Sequence, residues 1–327
     1  MSDTVTIVRA RGRRLAKLIL PDGTIRSYDA AKTFDMESRT VADLATLGAV
    51  LESLLPRPDC AVVRGQPVGP VHGVRRLVHP DAKTGEAPTL LDTPRRWLGL
   101  DVEGTALRAS VPAADLAACG RLALETLPRA FAEAACIVQA SGSHGFKPDL
   151  RLRLWFWCAR PMAGAELKRW LRNTPADPSV FSAAQLIYTA APVMAGGGAD
   201  PLPARLAWLP GAPELSCPAP EALAPRPRPA ARPLRLTGEG ASRYARKALR
   251  SAVTRILTAP KRHPVILAEA RGLARLVRGG LLPESDMRQA IHAAAAERGK
   301  PAEEIEAVIG WALLHPSNGS LPEIRHG

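Results

Sequence analysis

An apolar run ends in two acids one position apart, Trp97-Leu-Gly-Leu-Asp101-Val-Glu103-Gly104. Residues two apart in a β-strand point to one face, so Asp101 and Glu103 sit side by side. Paired carboxylates suit hard divalent cations, and Mg2+ or Mn2+ held there would serve nucleotidyl transfer. A second run, Ser141-Gly-Ser143-His144-Gly145-Phe-Lys147, leads into Arg151-Leu-Arg153-Leu-Trp-Phe-Trp157. Its small residues let backbone amides approach phosphate oxygens, while His144, Lys147 and Arg153 bring positive charge for a triphosphate. Both runs also have plainer readings. A D-x-E is often a solvated strand edge, and alternating arginines can face solvent opposite Leu152, Leu154 and Phe156.

To meet, these runs must lie on neighbouring strands. The alternation of apolar residues predicts strands over 4–8, 15–20 and 25–28, arranged as a β-meander around the turn Pro21-Asp22-Gly23-Thr24. Leu44, Leu47, Val50, Leu51 and Leu54 recur at helical spacing and predict a helix over 41–55, ended by Pro56. Further strands are expected over 60–63 and 97–102. A helix over 112–133 and a strand over 135–139 then precede the polar turn at 141–149 and a strong strand over 150–158. Residues 166–172 read as a basic helix, and 183–189 as an extended segment. Trp155, Trp157 and Trp170 sit among apolar neighbours and read as core rather than as base-stacking residues.

The run of proline and arginine after Ala224 predicts an extended, semi-rigid linker. The expected division is a first domain over 1–220, a linker over 221–236 and a second domain over 237–327. The second domain reads as a small helix bundle, with helices over 244–257, 265–278, 284–298 and 301–314. Its first helix carries Arg243, Arg246, Lys247, Arg250 and Arg255, and Lys261-Arg262-His263 follows. Spacings of three and four bring several of these to one face. A DNA-binding role for Arg243, Arg246, Lys247, Arg250, Lys261 and Arg262 would give sequence-independent, salt-sensitive phosphate contacts.

Lysine and arginine outnumber aspartate and glutamate by 44 to 31 over 327 residues, a formal net charge of +13 that favours a polyanionic partner. A membrane is not expected, since no apolar run reaches about 18 residues. The five cysteines are far apart and form no C-x-x-C pair. No zinc ribbon is readable, and reduced thiols in the cytoplasm are expected.

The order of strand with D-x-E, helix, strand, Ser/His turn, strand and later acid resembles the archaeo-eukaryotic primase superfamily. The helical C-terminal part is similar to that of small plasmid-encoded primases. The resemblance implies an α+β fold: a primase-type catalytic domain with an RRM-like mixed sheet, followed by an all-α bundle that helps recognise the template. It implies primer synthesis on single-stranded DNA from nucleoside triphosphates, in plasmid or phage replication. In that family two acids of a first motif and one of a third bind catalytic Mg2+ or Mn2+, and a histidine of a second motif contacts the incoming nucleotide. The matching positions are Asp101, Glu103 and Asp177, with Asp200 as the alternative third acid. His144 takes the nucleotide-facing place, beside Ser143 and Lys147. The family's small-x-His usually stands directly before its strand, where this chain has Leu150-Arg-Leu-Arg153, so Arg153 is the alternative. No G-x-x-x-x-G-K-[ST] loop is present, so a separate helicase is expected. The expected state is a monomer. Two other functions remain open: a catalytically inactive initiator that binds single-stranded DNA, and a metal-dependent nuclease.

Overall fold

The computed structural model describes residues 2–81, 83–225, 235–259, 262–318 and 323–325. It divides into two units, Met1–Pro225 and Arg226–Gly327. The division falls inside the segment read as a linker, of which 226–234 lies outside the described residues. No helix among the described residues is long and apolar enough to cross a membrane.

The first unit begins with β1 (Asp3–Arg9), β2 (Leu18–Ile19), β3 (Ile25–Arg26) and β4 (Asp35–Val41) before helix α1 (Leu44–Leu54). Strands β5 (Cys60–Val63), β6 (Gln66–Pro67), β7 (Leu90–Leu91) and β8 (Arg95–Ala106) follow, then helices α2 (Leu116–Leu124) and α3 (Arg129–Glu133). Strands β9 (Cys136–Ala140) and β10 (Asp149–Met162), helix α4 (Gly164–Trp170), and strands β11 (Val193–Met194) and β12 (Leu206–Leu209) complete the unit.

The meander expected at the start is not what forms. β1 is the centre of an antiparallel sheet β4-β1-β5, and the short β2 pairs with β3 and, in parallel, with the distant β11. Thr4–Val8 alternates too weakly to name its partners, and β5 supplies a fully apolar Cys-Ala-Val-Val to cover its other edge. α1 lies where the leucine spacing puts it, opened by a capping box in which the Asp43 carboxylate accepts from Thr46 N at 2.7 Å. The single helix expected over 112–133 is two, because Pro128 stands at the N-cap of α3 and cannot continue the first helix.

β8, β9, β10 and β12 form the sheet that matters for chemistry. The element order β8-α2/α3-β9-β10-α4-β12 is β-α-β-β-α-β, with β10 inserted between β8 and β9 as in a split β-α-β unit. The expected RRM-like mixed sheet is corrected in two respects. Every pairing in this sheet is antiparallel, and the order is β12-β9-β10-β8, whereas an RRM-like sheet sets its fourth strand beside the first. A single bridge from Val102 to Ala176 lies on the outer edge of β8, and β12 pairs with β9. Trp97, Leu100, Trp155, Phe156 and Ile137 of this sheet share one continuous core with Val5, Val62, Leu47 and Leu51. Trp155 and Trp157 are core residues, as their neighbours indicated, and Trp170 packs against the same cluster.

In the second unit, strand β13 (Arg235–Thr237) enters α5 (Gly238–Thr258), followed by α6 (Arg262–Arg278), α7 (Glu284–Glu297), α8 (Ala302–Leu314) and β14 (Glu323–Arg325). The expected all-α domain is corrected by the parallel pair β13–β14. Ala252, Ile256, Ala270, Met287, Ile291 and Ile309 make the core of the bundle. Acids Glu284, Asp286, Glu303 and Glu304 stand in the first turns of α7 and α8, where the helix dipole favours negative charge.

Candidate functional site: a carboxylate and arginine face on β8 and β10

Period-two geometry places Asp101 and Glu103 on one face of β8, and antiparallel pairing sets an arginine opposite each. Arg153 is the cross-strand partner of Asp101 and Arg151 that of Glu103. Arg153 Nε donates to Asp101 Oδ1 at 2.5 Å, and Arg151 Nη1 to Glu103 Oε2 at 3.0 Å. Arg151 also reaches Asp149 through Nη2 at 2.9 Å, and that carboxylate accepts from Gly104 N. Acids and arginines thus alternate across two strands, each holding the other in place.

Arg153 is only 4% exposed and its second nitrogen, Nη1, donates to the Tyr188 carbonyl. Burial pulls its pKa down, but the Asp101 charge and hydrogen bond outweigh that and hold it above the ordinary arginine value. A permanent cation is therefore fixed beside Asp101. Tyr188 stacks on Tyr28 with centroids 3.5 Å apart. Burial pushes the Tyr28 hydroxyl up to about 12, so it stays protonated and uncharged at neutral pH.

The Ser/His turn contributes differently from its sequence reading. Ser143 is buried and its Oγ accepts from Lys17 Nζ at 2.8 Å, across 126 residues of chain. Burial lowers the Lys17 pKa, opposed by the charge of Glu103 and helped by Arg151, Lys147 and Arg153. His144 is also buried, with Nε2 3.0 Å from the Ala113 carbonyl and Nδ1 without a partner. The carbonyl requires the proton on Nε2 in the neutral ring. Burial lowers the pKa of this imidazole. Lys147 is exposed. The structure therefore brings Ser143 and Arg153 toward the carboxylates, with Lys17 between, and ties the His144 ring to the chain ahead of α2.

The two candidate third acids are separated by their surroundings. Asp177 N donates to Asp101 O at 3.1 Å, next to the Val102–Ala176 bridge, so its backbone is fastened to the D-x-E strand. Its carboxylate caps the short helical turn Pro178–Phe181, accepting from Ser179 N at 2.9 Å and Ser179 Oγ at 2.8 Å. Asp200 is committed to Arg205 through two 2.7 Å contacts, and Arg205 Nη1 donates to the Ser141 carbonyl at 3.0 Å. That pair braces the Ser/His turn.

Sequence reasoning missed Lys17, Tyr28 and the positioning role of Arg151. Arg151 could have been found, since its period-two relation to Arg153 mirrors Asp101 and Glu103. Lys17 carried no such signal: its partner Ser143 lies 126 residues along the chain, a separation no local pattern shows.

For a divalent cation the donor set is the test. Asp101 and Glu103 offer hard oxygens on one face, and Mg2+ is commonly held by one or two carboxylates together with substrate phosphates. Asp101 Oδ2 and Glu103 Oε1 are not engaged by the arginines, so the pair fits such an ion. Among the described residues no three His, Cys, Asp or Glu side chains converge as a complete metal cage.

In the second unit, Arg243, Arg246, Lys247 and Arg250 are exposed along one side of α5, while Ala245 and Ala252 face the core. Arg255 turns aside to a two-point ion pair with Glu269, both contacts 2.7 Å. Arg262 begins α6, and Lys261 lies outside the described residues. Trp311 is 45% exposed, with His315 stacked on it and the Arg271 guanidinium 5.5 Å from its ring centre.

Compared with family models, curated proteins and solved structures, the chain matches none.

Proposed function

We propose that the chain is a nucleotidyltransferase of the primase or primase-polymerase type, making primers from nucleoside triphosphates on a single-stranded DNA template. The observation that carries this reading is the β8 edge. Asp101 and Glu103 share a face there, and Asp177, 74 residues after Glu103 in the chain, is hydrogen-bonded through its backbone to Asp101.

Phosphoryl transfer asks little covalent chemistry of a protein and much positioning and charge. When bound, Mg2+ or Mn2+ would supply Lewis-acid activation of a primer hydroxyl and neutralise triphosphate charge. Asp101 and Glu103 would hold it, with Asp177 as the third acid. Arg153 fixes the Asp101 carboxylate in direction. Arg151, which is more exposed than Arg153, and Lys17 offer donors to phosphate oxygens, and Ser143 orients Lys17. The exposed cations of α5 would hold template phosphates without reading sequence. Unwinding is left to another protein.

The test is synthesis on single-stranded DNA with labelled nucleotides and Mg2+ or Mn2+, comparing the wild type with Asp101→Ala/Glu103→Ala. Short products from the wild type and none from the double variant support the reading. One observation favours a second reading: both carboxylates already hold arginines, the arrangement expected of a site kept for its fold. DNA binding by both proteins with no product from either would make the chain an initiator without catalysis. Metal-dependent cutting of the template without nucleotides would make it a nuclease, and Lys17 supplies the lysine that the D-x-E stretch itself lacks.

A further inference from the structure

The five cysteines are scattered in sequence, yet the fold brings two of them together. Cys158 lies in β10, and Cys217 lies eight residues beyond the end of β12. Backbone bonds lace the two segments: Leu215 N donates to Trp157 O at 2.7 Å and Ala159 N to Leu215 O at 3.0 Å, forming a bridge at Cys158. Two residues on, the Arg160 guanidinium donates to the Pro218 carbonyl at 2.8 and 3.1 Å. Cys217 is pinned between these two ties, its Sγ 3.3 Å from the Leu215 carbonyl.

The surroundings of the two sulfurs differ. Cys158 is buried and Cys217 is partly exposed. Leu215 is the bridging partner of Cys158, and Cys217 follows it two residues along the same segment. The neighbouring Cys158 holds the Cys217 thiol below the ordinary range, while Cys217 and burial push Cys158 well above it. The charged groups acting here are Arg160 on Cys217, and Arg64 and Arg96 on Cys158. Arg160 and Arg96 are themselves paired with Glu166 and Glu214. Cys60, Cys119 and Cys136 are buried, and burial pushes their thiols up to about 11, 11 and 12.

We propose that Cys217 and Cys158 are a redox-active dithiol, Cys217 the attacking sulfur and Cys158 the resolving one, with a hydroperoxide as the oxidant. The Cys217 thiolate attacks the terminal peroxide oxygen. The O–O bond breaks, leaving Cys217 as a sulfenic acid and releasing an alcohol or water. The Cys158 sulfur then attacks the sulfenic sulfur. The S–S bond forms, the S–O bond breaks, and hydroxide leaves as water with the proton of Cys158. Two thiols and one hydroperoxide become one disulfide, one alcohol and one water, the two electrons passing from sulfur to oxygen. The bond would tie β10, the strand of Arg151 and Arg153, to the segment that leads out of the first unit. It does not depend on the nucleotidyltransferase reading.

The full chain, reduced and then treated with one equivalent of hydrogen peroxide at neutral pH, is titrated for free thiols and mapped by peptide mass. The expected result is the loss of two of its five thiols, a Cys158–Cys217 peptide, and full recovery on reduction. Cys158→Ser should instead stop at a Cys217 sulfenic acid that dimedone traps. In case that variant folds poorly, iodoacetamide labelling of the native wild type is a second readout, with Cys217 modified about tenfold faster than any other cysteine. Five thiols retained after peroxide, a disulfide at another pair, or Cys217 labelling no faster than its neighbours would overturn the proposal.

Discussion

At the residue scale, the division between His144 and Arg153 shows how burial assigns roles. Arg153 faces Asp101, whereas the His144 ring is closed in and bonded to Ala113. A buried imidazole with a lowered pKa has a consequence for stability. The unfolded chain takes up a proton near pH 6.5, before the folded one does, so stability is complete above that pH and is lost as pH falls through the lower folded value. The thermal midpoint should therefore drop between about pH 7 and pH 5. His144→Gln, uncharged at every pH, should show a smaller drop, measured by circular dichroism melts at matched ionic strength. Equal drops in both proteins would mean that the ring does not titrate on folding. Asp101 and Glu103 could be read from sequence because period-two spacing alone puts them on one face. The position of His144 could not, because the residue that accepts its proton is 31 positions away in a loop without a pattern.

At the element scale, what positions Asp177 is the packing of α4 against the turn Pro178–Phe181. Gly164 opens α4, and a Cβ there would collide with the Phe181 carbonyl, a backbone atom that cannot move aside as a side chain can. Gly164→Ala should cost about 1–3 kcal/mol through overpacking and lower product yield in the primer assay, because the displaced segment carries Asp177. Gly272 in α6 is the internal control: nothing lies within 4 Å of its added Cβ. There alanine should stabilise by about 0.5–1 kcal/mol through helix propensity. Thermal unfolding of both variants reads the two signs, and a neutral Gly164→Ala would remove the packing argument. The helices and the long strands were legible because their periodicity is local. The strand order was not, since Ala176 bridges to the β8 edge and the partner of β2 is β11, pairings set by tertiary packing across 74 and about 175 residues.

At the scale of the whole molecule, a net charge of +13 has to be placed before it explains anything. In the first unit many arginines are paired with carboxylates: Arg9, Arg11, Arg75, Arg95, Arg151, Arg153 and Arg205. On α5 the cations at 243, 246, 247 and 250 are exposed and follow one side of the helix. If that row holds single-stranded DNA by its phosphates, each contact adds about 0.7 to the slope of log affinity against log salt. Lys247→Ala/Arg250→Ala should then weaken binding to any oligonucleotide alike and flatten the slope by about 1.4, measured by fluorescence anisotropy over a salt series. Products of primer synthesis should shrink in amount at high salt but keep their metal dependence, because Asp101 and Glu103 lie in the other unit. An unchanged slope would move the DNA-binding surface off α5 and leave the arginines and Lys17 around the β8 edge to hold the template as well as the nucleotide.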